Sequence, residues 1–391
     1  MASSDYYIAD NSDIEDKKLE AAKNHYNMGD YNSALKLYLS LINANISYKL
    51  YHRIAKCYYK LGDMKNAEEY FKRSVELEPN ENPSYQYLGN IAYKKEDLKN
   101  AIYNWLHVFS YKPEDENITL NLATSYFSKG MKFQSVFYYE KYLKYASNTA
   151  ESYSAIQSSI NKCSQVANEF LQKAKLEIAR KKYEAGVEFL TFAVKNSPTN
   201  FEINDLLGTL YFNLNDNMHA SAFLKQAFCI NNHSIDIMQK LVTVYINLGD
   251  YTAAYCMMKR LLPFLINNQK EYLKILNMTK TLSDSFNKMS YQGHKTWGDN
   301  YFNDNNYHLA LIEYENCVLL NEELKSELSK RIEEIKRFIN PEEILIKNCM
   351  TKGEKLVREG EIKLANNYFT RVMLLSDEKS GEYKLAKSKI V

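Results

Sequence analysis

The 391-residue chain sets 50 Lys and Arg against 48 Asp and Glu, and a net charge of +2 gives no chain-wide attraction to nucleic acid or anionic lipid. With only 12 Gly and 6 Pro it has too few residues to turn a large β-protein through its tight bends, so long helices with short connections are expected. Apolar runs fall short of the roughly 18 residues that span a bilayer, and the start MASSDYYIADNSDIED lacks the charged-then-apolar pattern of an export signal, so a cytoplasmic protein without membrane insertion is the expectation.

In chain order, residues 1–14 read as an acidic, disordered tail. Helical periodicity follows, and its logic is clearest around YKLGDMKNAEEYFKRSVELEPN, Tyr59 to Asn80. Tyr51, Ile54, Ala55 and Tyr58 recur at helical spacing, Gly62 is placed to stop that helix in the left-handed conformation, and Asp63 can cap the next. The second helix carries Ala67, Phe71, Ser74 and Val75 on one face, and Pro79 ends it.

The pattern returns every 33 or 34 residues, with units beginning near Glu15, Tyr48, Asn82, Glu116, Asn168, Phe201, Ile235, Tyr291 and Ile346. Each first helix has a small residue at one position: Ala22, Ala55, Gly89, Ala123, Ala174, Gly208, Val242, Gly298 and Gly353, of which only Val242 departs. Twelve residues later come Ala34, Ala67, Ala101, Ser135, Gly186, Ala220, Ala254, Ala310 and Ala365, which let two backbones approach. Four further on stand Tyr38, Phe71, Trp105, Tyr139, Leu190, Leu224, Met258, Tyr314 and Phe369, expected to fill the wedge against the next unit.

On these residues the chain resembles the tetratricopeptide repeat family. The resemblance implies an all-α, right-handed α-solenoid of about nine helix-turn-helix repeats with irregular helical joints. Repeats 1–4 occupy 15–148, repeats 5–7 occupy 168–268, repeat 8 occupies 291–324 and repeat 9 occupies 346–379. Between them lie a joint at 149–167, a second at 269–290 and a connector at 325–345, with a capping helix at 380–391.

No catalytic motif, phosphate-cradling glycine loop or metal-ligand spacing is present. The six Cys form no CxxC pair and read as core residues, and the seven His are scattered, so neither an enzyme nor a cofactor is expected. Function is then expected in the concave groove, which in the family is lined by the second, fifth, sixth, ninth, twelfth and thirteenth positions of each repeat.

For repeats 2, 3 and 4 these positions hold five cations and no carboxylate, where about two of each sign would follow from composition. The cations are Lys49, Arg53, Lys56, Lys60 and Lys94; Tyr59, Tyr87, Tyr93 and Phe127 add rigid apolar area, and Gln86, Asn90, Asn121 and Thr124 add hydrogen-bonding groups. Asn90 and Asn121 match positions used by similar repeats that grip chaperone tails, but Gln86 replaces the first lysine of that clamp, and the segment after Asn148 offers no match for two further basic positions.

A mixed groove follows in repeats 6 and 7, with Glu202, Asp205, Thr209, Phe212 and Asn213, then Asp236, Gln239, Lys240, Thr243 and Asn247. Asp5, Asp10 and Asp13 of the tail could occupy the basic groove when no partner is bound.

The resulting expectation is a non-enzymatic scaffold or adaptor that binds an extended or helical segment of a protein partner, with acidic peptide preferred by the N-terminal repeats. The alternatives are a self-assembling structural component and a helical-repeat protein that binds nucleic acid. Arg53→Glu, Lys56→Glu and Asn90→Ala are expected, as exposed changes, to leave stability within about 0.5 kcal/mol each.

Overall fold

A residue in the left-handed conformation ends a helix in a tight turn, and the structure, a computed structural model, uses one at the turn inside each of nine helix pairs among the described residues (11–43, 46–284, 286 and 290–390). At Gly62 φ is 83°, and the next residue, Asp63, caps the following helix by accepting from the Asn66 N–H at 3.1 Å. Four turns place Glu96, Lys181, Asn215 and Asn305 there instead, at φ from 60 to 62°, so the geometry is imposed by the helix pair even where the side chain disfavours it.

The helices fall into two compact units. The first, Met1–Lys112, contains α1 (Asn11–Asn27), α2 (Tyr31–Ser40), α3 (Tyr48–Leu61), α4 (Met64–Leu77), α5 (Ser84–Lys94) and α6 (Leu98–Phe109), each packed on its neighbours in sequence. α1 begins at Asn11, inside the span 1–14 expected to be a disordered tail; residues 1–10 of that span lie outside the described residues, Asp5 and Asp10 included.

The second unit, Pro113–Val391, contains α7 (Glu116–Ser128), α8 (Lys132–Tyr145), α9 (Glu151–Ala179), α10 (Tyr183–Asn196), α11 (Phe201–Asn213), α12 (Asn217–Ile230), α13 (Ile235–Asn247) and α14 (Tyr251–Leu261). Then come α15 (Gln269–Ser283), α16 (Gln292–Asn303), α17 (Tyr307–Leu320), α18 (Lys325–Ile339), α19 (Pro341–Arg358), α20 (Ile362–Leu375) and α21 (Gly381–Lys389). No strand occurs among the described residues. The expected joint at 149–167 is continuous with the first helix of the following pair, because α9 runs unbroken for 29 residues.

The small residues sit where helices touch. All eighteen Ala, Gly, Ser and Val positions named from the repeat pattern are buried. The large residue sixteen positions after the first-helix small residue packs inside its own helix pair and also toward the next, as expected: Tyr38 shares a core with Leu50 and Ile54, Leu190 with Ile203 and Leu207, and Leu224 with Ile237 and Leu241. A Cβ added to Gly89 would come within 2.5 Å of the Trp105 ring, one on Gly208 within 2.7 Å of Leu224, one on Gly298 within 2.9 Å of Tyr314, and one on Gly353 within 2.6 Å of Phe369. Phe71 serves both purposes, since it also stacks on Tyr87 of the next pair with ring centroids 4.8 Å apart. Tyr139 is the exception among the large residues: it is only half-buried, and its neighbour Tyr138 takes the interior place, stacked on Tyr126 at 5.4 Å.

The second unit folds back on itself. Tyr126 donates its hydroxyl to the Asn305 carbonyl (3.1 Å), Lys129 donates to Asn305 Oδ1 (2.8 Å), Gln134 to Asn306 Oδ1 (3.0 Å) and Tyr138 to the Phe338 carbonyl (3.3 Å). Lys141 pairs with the buried Glu342, which also accepts from the Tyr145 hydroxyl at 3.1 Å. Thus α7 and α8 are tied to the α16–α17 turn and to α18 and α19, some two hundred residues away along the chain. α14 packs directly on α17, with Arg260 donating to Asn316 Oδ1 (2.5 Å) and to the Ile312 carbonyl (3.1 Å).

Two stability predictions follow from this packing. Gly89→Ala, which must displace the Trp105 ring, should lower the unfolding free energy by about 1–3 kcal/mol, whereas Gly293→Ala, whose Cβ meets nothing within 4 Å, should raise it by up to about 1 kcal/mol; urea unfolding of both checks the opposite signs. Burial favours the neutral acid at Glu342, but Lys141 outweighs it and holds the carboxyl below its ordinary range. Its contribution is therefore present above the unfolded-state carboxylate pKa and is lost as pH falls through the lowered folded-state value. Glu342→Gln should cost somewhat less than the roughly 3–5 kcal/mol of a broken fully buried pair, because Lys141 retains some exposure. The gap between variant and parent should close as unfolding is measured at progressively lower pH.

Candidate peptide-binding surface

Helical spacing brings residues three and four apart to one face, so α3 presents Lys49, Arg53, Lys56 and Lys60 together, and α5 presents Gln86, Tyr87, Asn90, Tyr93 and Lys94. The two helices meet along these faces. Tyr59 makes an edge contact with Tyr87 at 5.3 Å, the Lys94 ammonium lies 5.1 Å from the Tyr59 ring centre, and His52 Nδ1 is 2.8 Å from the Ser84 hydroxyl. Ten of the thirteen residues named from the sequence are therefore gathered in the first unit.

None of the five cations there pairs with a carboxylate among the described residues. Elsewhere in the same unit carboxylates are engaged with other cations: Glu68 with Lys72 and Lys95, and Glu69 with Arg73. Burial lowers the pKa of Lys56, and the charges of Lys60 and Arg53 press in the same direction. Burial, with Lys56 and Arg53 adding to it, pushes the His52 imidazole down to about 4, so it is neutral at pH 7. Like charges are thus held close without an internal counter-charge, and an anion would relieve them.

Asn90 is less available than expected. Its Oδ1 accepts from the buried Trp105 indole N–H at 3.1 Å, leaving the amide NH₂ as the group it can offer a ligand. Lys49 and Lys60 are exposed, Arg53, Lys56, Tyr59, Gln86 and Tyr87 are half-buried, and Tyr93 is 51% exposed while packing at 5.6 Å on Trp105. Asn121, Thr124 and Phe127 lie on α7 of the second unit. There the Thr124 hydroxyl donates into its own helix, to the Leu120 carbonyl at 2.9 Å, and Phe127 is 67% exposed.

Three residues of the first unit, Lys23, Tyr26 and Asn27, were not picked out from the sequence. The Lys56 ammonium lies 4.8 Å from the ring centre of Tyr26 on α1, and a recess of about 220 Å³ is lined by Lys23, Tyr26, Asn27, Tyr38, Arg53 and Lys56. Counted from Glu15, Lys23, Tyr26 and Asn27 are the ninth, twelfth and thirteenth positions of the first repeat, so the same mapping extended by one repeat finds them.

The mixed face of repeats 6 and 7 differs in kind. Lys240 bridges Asp205 (2.7 Å) and Asp236 (2.6 Å), and Asp205 also accepts from Thr209 at 3.2 Å, so these charges are satisfied within the protein. In the same unit His294 lies between Glu313 (Nδ1 to Oε2, 2.6 Å) and Thr252 (Nε2 to Oγ1, 3.0 Å). Acid, imidazole and hydroxyl in that order would suit a hydrolytic relay, but the Thr252 hydroxyl is already 3.0 Å from Asp250 Oδ1 and donates there. The cluster reads as a polar tie joining α14, α16 and α17. No group of three or more His, Cys, Asp or Glu suited to a metal ion occurs among the described residues.

These features define a protein of paired, stacked helices with a basic aromatic face. Residues 48–81 match the tetratricopeptide repeat family model, and the small residues that mark that repeat are buried in the same register along the chain, so this is a helical-repeat protein with a tetratricopeptide repeat at 48–81. A search of curated proteins finds no match.

Among solved structures, the chain is similar to a tetratricopeptide repeat protein from Parabacteroides merdae (13% identity over 68% of this chain and 98% of that one, TM-score 0.33). It is also similar to the P58(IPK) TPR domain (15% identity, 96% and 97% covered, TM-score 0.30) and to the TPR2AB domain of yeast Sti1 in complex with pHSP90 (14% identity, 70% and 99% covered, TM-score 0.27).

The Asn90–Trp105 bond revises one expectation. Asn90→Ala leaves a buried indole N–H without its acceptor and should cost about 1–3 kcal/mol, while Arg53→Glu should stay within about 0.5 kcal/mol. Chemical unfolding followed by tryptophan emission separates the two.

Proposed function

We propose that the chain is a non-enzymatic scaffold whose first unit holds an acidic segment of a protein partner, extended or helical, against the joined faces of α3 and α5. Proteins of this repeat class mediate protein–protein interaction. The observation that supports an acidic partner is the set of five cations, Lys49, Arg53, Lys56, Lys60 and Lys94, that meet no carboxylate among the described residues. Tyr59 and Tyr87, fixed against each other, supply flat apolar area at little entropic cost, and the Asn90 NH₂ can donate to a main-chain carbonyl of the bound segment. Nothing comparable favours nucleic acid, since the cations are confined to one face of a near-neutral chain.

Fluorescence anisotropy with a labelled acidic nonapeptide tests this. Reversing Arg53 and Lys56 to Glu together should weaken binding by about tenfold or more and flatten its salt dependence. Equal affinity of parent and double variant would remove α3 from the site.

A further inference from the structure

The recess between α1, α2 and α3 is a separate feature of the basic face. Six side chains line it: Lys23 and Tyr26 with Asn27 from the end of α1, Tyr38 from α2, and Arg53 and Lys56 from α3. At about 220 Å³ it is a pit for a single side chain, not a trough for a strand or helix. No carboxylate lines it, and its walls are two tyrosine rings, one with the Lys56 ammonium 4.8 Å from its centre.

Charge counting narrows what can enter. Lys23 already pairs with Glu20 at 2.8 Å, so that pair is neutral as a unit. Arg53 and Lys56 remain, two positive charges that line the recess together without a carboxylate partner among the described residues. A carboxylate brings one negative charge and leaves an excess cation beside it. A phosphomonoester brings about 1.5 to 2 negative charges at pH 7 and three acceptor oxygens, which matches the pair in charge. The flat Arg53 guanidinium can bind two of those oxygens side by side, and the Lys56 ammonium and the Asn27 amide can each donate to an oxygen.

We infer that this recess is a subsite for one phosphorylated side chain, phosphoserine or phosphothreonine, within the acidic segment. The inference rests on the function proposed above and adds to it that the partner's affinity is set by phosphorylation at the position that reaches α1 and α3. Lys60 and Lys94, outside the recess, then serve the acidic residues on either side.

The test uses the full chain and three labelled acidic nonapeptides that differ only at the central residue: serine, glutamate or phosphoserine. The phosphoserine peptide should bind about tenfold more tightly than the glutamate peptide, because a charge-assisted, two-pronged contact replaces a single one. Arg53→Gln and Lys56→Gln should each erase most of that ratio, whereas Lys94→Gln should weaken all three peptides together and preserve it. Circular dichroism melts confirm that each variant is folded. If phosphoserine and glutamate bind alike while both still bind, the subsite is overturned and the proposed function stands. If the ratio persists in both recess variants, the phosphate is held elsewhere and the assignment is wrong. If none of the peptides binds, the proposed function and the subsite fall together.

Discussion

The structure depends on one steric relation: a side chain of almost no size on the first helix of a pair facing a large one sixteen residues later. Gly89 under Trp105, Gly208 under Leu224, Gly298 under Tyr314 and Gly353 under Phe369 each leave no room for a Cβ. The relation sets how closely the two helices approach, and close approach exposes a ridge and a groove in register for the neighbouring pair. A helix pair of some thirty residues cannot bury its own apolar surface, so the stack is stable only because this geometry repeats. Where the position holds Val242 instead, the facing residue is Met258, whose unbranched thioether can bend around the added methyls, and both are buried.

Stacking in register is also what gathers the charges. When successive first helices present the same face, residues that are innocuous singly become a cluster: Arg53 and Lys56 beside Tyr26 on one side, Lys94 over Tyr59 on the other. The contrast with the later repeats shows that charge density alone does not make such a face. There Lys240 sits between Asp205 and Asp236 and completes the balance internally. The cations of α3 meet no such partners, and holding them together has an electrostatic cost that a bound anion would offset.

In the second unit a different interaction takes over. Polar ends reach from α7 and α8 to backbone carbonyls and to Glu342, far away in sequence, and turn a linear array into one that meets itself. Tyr126 and Tyr138 illustrate why so many tyrosines serve as core here: each buries a ring within its own helix pair and delivers its hydroxyl to a carbonyl of a distant one. Such contacts add long-range specificity without a large apolar seam, and they tie the fate of α8 to that of α19.

Much of this was legible in the chain itself. Gly62 and Asp63 announced the end of one helix and the cap of the next, and the eighteen small residues marked the helix contacts, because turn geometry and close packing restrict the residues at those positions directly and locally. The alternation of helices and tight turns followed from the same local reading. What the tertiary structure decided was relational. The Asn90 amide oxygen is taken by Trp105, Lys23 and Tyr26 join the α3 cations around one recess, and α8 comes to rest on α17 and α19. A repeat pattern fixes how each pair meets its neighbour, but small differences in that angle accumulate along the stack, and only their sum determines which distant side chains arrive within hydrogen-bonding distance.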